Sequence, residues 1–139
     1  MTENVLHKTM YLKAPRQMVW DYLTQPEHLA KWFHAPKAPL TEGQDYTCYG
    51  AESGDPVIWG KVTKASPPGF LEYTFSAGPM GDAVTHVRWT LTDVPGGTHL
   101  MLEHTGLAQG KEAFGLTLAF DDGWDRHLAR LRADLPEAA

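Results

Sequence analysis

A single long amphipathic helix after a series of short strands is the feature that most constrains the fold of this chain. From about Lys111 to Leu135, apolar side chains recur at three- and four-residue spacing, which is typical of one helical face. The members of this stripe are Phe120, Trp124, Leu128, Leu131 and Leu135, with Phe114 and Leu118 extending it. The strands before it alternate apolar and polar residues, so one face of their sheet needs a cover. We predict that the helix packs on that face.

Two glycines, Gly115 and Gly123, interrupt the predicted helix. Each weakens a helix by about 1 kcal/mol relative to alanine. We expect them to permit a bend, or a close approach of the helix backbone to the sheet.

Six short segments rich in β-branched and aromatic residues, separated by Gly and Pro, are predicted to form strands. They span residues 5–13, 46–49, 57–64, 70–76, 83–94 and 98–105. Two short helices are expected after the first strand: Pro15 suits the first turn of one, and Pro26 begins the other, which Pro36 and Pro39 end. With 139 residues the chain has the length of one domain. The expected fold is therefore α+β, a curved antiparallel sheet of six to seven strands around the C-terminal helix, in a single domain over residues 1–139.

The charge balance excludes some classes of partner. The chain carries 12 basic and 17 acidic residues, a net charge of −5, which argues against nucleic acid and against an anionic membrane surface. The single cysteine, Cys48, cannot form a disulfide within the chain, which favours a reducing compartment. No signal peptide and no membrane-spanning run is recognised, so we expect a cytoplasmic protein.

Seven histidines are the first candidates for chemistry, because imidazole serves both proton transfer and metal binding. His104 alternates in phase with Leu100 and Leu102, so it is predicted on the inner face of the sheet. There it either forms a hydrogen bond with a ligand, acts as an acid or base, or is a buried histidine satisfied by a neighbouring hydroxyl or backbone group. His34, at the end of the second short helix, is either a ligand contact or an ordinary loop residue. The remaining histidines are predicted on the surface or the outer sheet face: His7, His28, His86, His99 and His127.

Known catalytic and metal-binding motifs are not found. The spacing of Cys and His matches no zinc motif, and His99 and His104 fall on opposite faces of one strand. No serine lies in a nucleophile elbow, and the glycines of the 78–81 loop precede a strand rather than a helix, unlike a phosphate loop. Cys48 is interpreted as a small apolar filler. We therefore predict no metal and no cofactor, and favour a protein without catalytic activity.

Six stretches, in order along nearly the whole chain, carry a resemblance to a known superfamily. They are Ala14-Pro15 with Val19-Trp20-Asp21-Tyr22-Leu23-Thr24, Pro26–Phe33, Gly60-Lys61-Val62, Leu71–Phe75, Gly97–Gly106, and Gly123-Trp124 with Leu128 and Leu131. This pattern resembles the SRPBCC superfamily, whose helix-grip fold is also that of START domains and birch-pollen allergens. Within it, the chain is most similar to proteins homologous to the activator of heat-shock-protein-90 ATPase. The resemblance implies a deep cavity between the concave sheet and the long helix.

If that implied cavity is present, some of the many aromatic residues are expected to line it. Rigid aromatic walls with a few polar groups are typical of small-molecule sites. The candidate ligand-binding residues are Trp32, Phe33, His34, Trp59, Tyr73, Phe75, Trp89, His104, Phe120 and Trp124, with the side of Trp59 left open. Plain core packing is the alternative for each of them. Trp20 and Trp124 are interpreted mainly as core residues.

The leading functional hypothesis is binding of a small hydrophobic or aromatic molecule without catalysis. The first alternative is a cyclase-, aromatase- or hydrolase-like enzyme that uses His104 as acid or base with Tyr73 or Thr105 as a polar partner. The second is an interaction protein that stimulates a chaperone ATPase. Both a monomer and a homodimer remain open.

Overall fold

The computed structural model describes residues 4–50, 52–80, 83–107 and 113–135. Its elements follow one another in the order β1 (Asn4–Leu12), α1 (Arg16–Thr24), α2 (Pro26–Trp32), β2 (Ala35–Pro36), β3 (Asp45–Tyr49), β4 (Pro56–Ser66), β5 (Phe70–Ala77), β6 (Thr85–Val94), β7 (Gly97–Leu107) and α3 (Phe114–Asp134). A single 3-10 turn over Gly78–Met80 follows β5. None of the described helices is both long and apolar enough to cross a membrane.

The seven strands form one curved antiparallel sheet in the order β1-β7-β6-β5-β4-β3-β2. Only β1 lies away from its neighbours in sequence, because it pairs with β7, for example Leu6 with His104 and Lys8 with Leu102. This arrangement, with two short helices after the first strand and a long helix at the end, confirms the predicted helix-grip α+β fold.

The alternation of side chains on β6 and β7 builds the buried face of the sheet. Leu100, Leu102 and His104 on β7 are almost completely buried, and so are Val87 and Trp89 on the neighbouring strand β6. The residues between them are more exposed, as the period of two requires. The predicted inner face of β7 is therefore confirmed.

Helix α3 covers this face through a stripe of its own. Trp124, Leu128 and Leu131 are buried, and Thr117 extends the stripe toward the start of the helix. On the side of β1, Lys8 Nζ lies 2.6 Å from Asp121 Oδ1 and 2.9 Å from an oxygen of Asp125, which ties the helix to the edge of the sheet.

Hydrogen bonds join α2 to both α1 and α3. The Trp32 indole N–H donates a 2.8 Å hydrogen bond to the Tyr22 carbonyl, which joins the end of α2 to α1. The Trp32 carbonyl in turn accepts a 3.0 Å hydrogen bond from Nδ1 of His127 on α3. As predicted, Pro26 occupies the first turn of α2, where its missing N–H leaves no hydrogen bond unmade.

Three local predictions were wrong. Leu118 is 54% exposed because it lies six residues before Trp124, which places it about 120° around the helix axis from that residue. Phe114, the first residue of α3, is also exposed, and Lys111 lies outside the described residues. The second short helix ends at Trp32 rather than at the prolines, because the chain turns there into β2, whose two residues pair with Cys48 and Tyr49 on β3.

Candidate functional site

A cavity of about 210 Å³ lies between α3, the strands β4 and β5, and the segment that follows α2. It is lined by Phe33, His34, Val57, Ile58, Phe75, Ala77, Phe120, Gly123, Trp124 and His127. Eight of these ten residues are apolar or glycine, and two imidazoles supply the polar side chains. Its volume exceeds the roughly 150 Å³ of an engineered apolar cavity that holds benzene. The space therefore suits a molecule of about one to two rings.

The aromatic wall of the cavity is held in fixed orientations by ring contacts. Phe33 stacks on Trp124 with ring centroids 5.5 Å apart and an interplanar angle of 6°. Phe75 meets Phe120 edge to face at 5.8 Å. Because each of these pairs joins two different elements, the wall is built by the tertiary fold and not by one helix or strand.

Gly123 leaves part of the cavity open. Beyond its chain neighbours and the backbone of its own helix, a Cβ atom placed on Gly123 would meet no atom within 4 Å, and the same holds for Gly115 on the exposed part of the helix. Neither glycine is therefore needed for a close approach of α3 to the sheet, contrary to expectation. At Gly123 the missing side chain instead adds to the volume of the cavity.

His104 lies behind this wall and is 0% exposed. The Trp124 indole N–H donates a 3.0 Å hydrogen bond to its Nδ1, so this nitrogen is an acceptor and carries no proton. The neutral ring therefore has its proton on Nε2, which lies 2.8 Å from Thr85 Oγ1. The Thr85 hydroxyl donates its own proton to the Phe75 carbonyl at 2.7 Å. Three donors and three acceptors thus form one chain that leads from α3 into the sheet.

This chain fixes His104 in its neutral form. Burial, with a smaller contribution from His86, lowers the pKa of His104 to about 4. The rings of Phe75 and Phe120 pack against the imidazole at centroid distances of 4.8 and 5.6 Å. Since both ring nitrogens already have partners, the geometry corresponds to the structural alternative for His104 and not to an acid or base.

His34 and His127 differ from His104 because they reach the cavity. Their rings are in edge-to-face contact at 5.5 Å, and Phe33 packs against both. Burial, opposed by the hydrogen bond to the Trp32 carbonyl, lowers the pKa of His127 to about 4. Burial and the nearby Arg130 also lower the pKa of His34. Both imidazoles are therefore neutral at neutral pH.

A second layer of aromatic residues supports the wall without lining the cavity. Trp32 and Trp89 are each 1% exposed and meet edge to face at 6.0 Å. The Trp89 indole N–H donates a 3.0 Å hydrogen bond to the Tyr73 hydroxyl, which burial holds in its protonated form by raising its pKa. These residues set the depth of the cavity by filling the space beneath it.

The ten residues predicted as ligand contacts thus fall into three groups. Five line the cavity: Phe33, His34, Phe75, Phe120 and Trp124. Four are buried behind it: Trp32, Tyr73, Trp89 and His104. The last, Trp59, lies on the outer face, because it alternates with the buried Ile58 on β4.

The sequence interpretation missed five lining residues. Val57, Ile58, Ala77 and Gly123 are small or aliphatic and carry no chemical signal of a site. His127 was predicted on the surface, and this was wrong. Its position three residues after Trp124 on a helix, close to the buried stripe, was the available signal.

Other reactive groups are sparse in the described part of the chain. No three His, Cys, Asp or Glu side chains there come together in a metal-binding group. Cys48 is buried, and burial raises the pKa of its thiol to about 12, so it behaves as an apolar filler rather than as a nucleophile.

Comparison with known proteins places this geometry among relatives. The family model described as Activator of Hsp90 ATPase homolog 1-like protein matches residues 13–135. Protein MLL2253 from Mesorhizobium loti has 25% identity and a TM-score of 0.79, over 94% of this chain and 95% of that one. CalU16 from Micromonospora echinospora has 25% identity and a TM-score of 0.78, over 98% and 70%. The Aha1 dimer from Colwellia psychrerythraea has 18% identity and a TM-score of 0.79, over 95% and 96%. No curated protein matches the chain.

Proposed function

From the premise that this chain belongs to the Activator of Hsp90 ATPase homolog 1-like family, as its motifs predicted, we propose that it binds a small aromatic or apolar molecule in the cavity beneath α3. The observation that carries the proposal is the cavity itself, about 210 Å³ of space walled by stacked aromatic rings. Burial of one such ligand removes apolar surface from water, at about 25 cal/mol per Å². The fixed orientation of the rings means that little ordering is required on binding.

The catalytic alternative has weaker support. It assigned proton transfer to His104, whose nitrogens are both engaged by Trp124 and Thr85. A general acid or base needs a proton position within reach of the substrate. The co-chaperone alternative draws its support from the family's name alone. Simple binding is therefore the function that this geometry favours.

Filling the cavity from Gly123 tests the proposal. The change Gly123→Leu places a side chain in the open space beside Trp124, so we expect it to weaken ligand binding by about 5- to 150-fold, since overpacking costs roughly 1–3 kcal/mol. Binding is measured by quenching of tryptophan fluorescence with a panel of apolar and aromatic compounds. The thermal midpoint is expected to rise or stay constant, since leucine favours a helix over glycine by up to about 1 kcal/mol.

Gly115→Leu is the matched control. It makes the same change in the same helix, also into open space, but away from the cavity. We expect it to leave binding unchanged. Absence of quenching with every compound, or equal loss of binding in both variants, contradicts the proposal.

A further inference from the structure

The geometry points to a ligand with one hydroxyl or N–H group on an aromatic ring, and this group donates a hydrogen bond to Nε2 of His127. This inference rests on the proposed function, because it names the chemical class that the cavity selects. It follows from the hydrogen bond that fixes the His127 ring and from the residues that surround it.

The hydrogen bond to the main chain determines which nitrogen of His127 carries the proton. Nδ1 lies 3.0 Å from the Trp32 carbonyl oxygen, and only an N–H can donate to that acceptor. In the neutral ring, Nε2 therefore has a lone pair. No described residue forms a hydrogen bond with Nε2, and the His127 side chain lines the cavity, so we infer that this acceptor is available to a bound molecule.

The rest of the cavity lining offers few other hydrogen-bond partners to a ligand. Apart from His34 and His127, the lining side chains offer only carbon atoms and the N–H of Trp124, which is already donated to His104. A ligand hydroxyl buried there without a partner loses its hydrogen bonds to water. One donor, placed at the edge of an aromatic ring, is the group that the cavity can satisfy at His127.

At His127 itself, an anionic ligand fits less well. A carboxylate offers only lone pairs, and these would face the lone pair of Nε2. The nearby cations lie on the exposed side of α3, and Arg126 there is paired with Asp122 at 3.0 Å. Arg130 is the remaining cation near both imidazoles, so an anion at the cavity mouth is the outcome that the experiment must separate.

Three matched compounds separate these possibilities: p-cresol, p-xylene and p-toluate share one methylated ring and differ only in the para group. Binding to the wild-type protein is measured by calorimetry at neutral pH. We expect p-cresol to bind about three- to tenfold more tightly than p-xylene, which is the usual net gain from one neutral hydrogen bond. A cavity without an acceptor would show the reverse order, because it would leave the hydroxyl unpaired.

Each result has a distinct meaning. If p-xylene binds as tightly as p-cresol or more tightly, this inference fails while the proposed function stands. If p-toluate binds most tightly, the inference also fails, and an anion site near Arg130 replaces it. If none of the three binds, the proposed function itself fails.

The substitution His127→Phe keeps a ring against Phe33 and Trp124 but removes the acceptor. We expect it to reverse the preference for p-cresol, whereas His7→Ala, at an exposed position on β1, leaves the preference unchanged. A second readout uses the wild-type protein alone: the nitrogen-15 resonance of His127 Nε2 moves with p-cresol and stays with p-xylene. A p-cresol preference without that movement assigns the acceptor to another group and overturns the inference.

Discussion

His104 shows how one residue joins the two layers of this fold. Its neutral ring accepts a hydrogen bond from Trp124 on α3 and donates one to Thr85 on β6, so it connects the helix to the sheet. A buried hydrogen bond of this kind adds only modestly to the free energy of unfolding. Removing one partner costs more, because the other polar group is then left unpaired in the core. The position of the cavity wall therefore depends on a residue that the ligand does not touch.

Removal of the Thr85 hydroxyl tests this role. Thr85→Val leaves the Nε2–H of His104 without a partner in the core, so we expect the free energy of unfolding to fall by about 1–3 kcal/mol. Thr92→Val is the control, because Thr92 lies on the same strand and is exposed. Urea denaturation measures both variants. Equal stability of the two would show that the hydroxyl contributes nothing to the interface.

Single residues were predictable from the sequence where a strand fixes their direction. The two-residue period placed His104 on the inner face with Leu100 and Leu102, and all three are buried. The side of Trp59 was left open, and the structure places it on the outer face, opposite to Ile58. His127 was missed because exposure changes gradually around a helix axis. For a residue beside the buried stripe, the spacing alone does not determine what the side chain contacts.

Among the elements, β4 and β5 approach each other closely at Gly60. A Cβ atom there would overlap the Thr74 carbonyl. The same carbonyl accepts a 2.6 Å hydrogen bond from the Tyr46 hydroxyl, and the Thr74 side chain accepts one from the Lys61 N–H. Hydrogen bonds thus join β3, β4 and β5 at this point, and two of these strands, β4 and β5, line the cavity.

We expect Gly60→Ala to destabilise the protein by about 1–3 kcal/mol, because the carbonyl and its hydrogen bonds must move to admit the methyl group. Gly78→Ala, where an added Cβ meets nothing within 4 Å, serves as the control. Thermal denaturation followed by circular dichroism compares them. A Gly60→Ala protein as stable as the control would contradict the close approach.

The elements themselves were predicted well, since their type follows from local periodicity. Their ends were not, because these depend on tertiary partners: β2 exists only through its pairing with Cys48 and Tyr49. The exposure of Leu118 and the open space at Gly123 likewise follow from where α3 lies on the sheet. The cavity was implied by a family resemblance and not by spacing, because its lining comes from four separate segments.

For the whole molecule, the neutral histidines make stability dependent on pH. The pKa of His104 and of His127 is about 4 in the folded protein, below the usual 6.5. Above pH 6.5 both states are neutral, and as the pH falls below that value only the unfolded chain takes up protons. We expect stability to fall from about pH 6.5 toward pH 4, by up to about 1.4 kcal/mol per pH unit for His104.

Urea denaturation between pH 7 and pH 5 measures this slope. The variant His104→Gln, whose amide provides a donor and an acceptor but does not titrate, is expected to show a shallower decline. His7→Gln, at an exposed position, is expected to retain the full slope. If His104→Gln and the wild type decline in parallel, the folded protein does not hold this imidazole neutral.

The pairing of β1 with β7 delays completion of the sheet during protein synthesis. A ribosome delivers the chain from its first residue onward, so β1 has no partner until residues 97–107 have emerged. The apolar face of the sheet then stays uncovered until α3 follows. Folding is expected to be slow and late, because its decisive contacts join distant parts of the chain. Until α3 has been synthesised and covers the sheet, the exposed apolar face makes the growing polypeptide prone to aggregation.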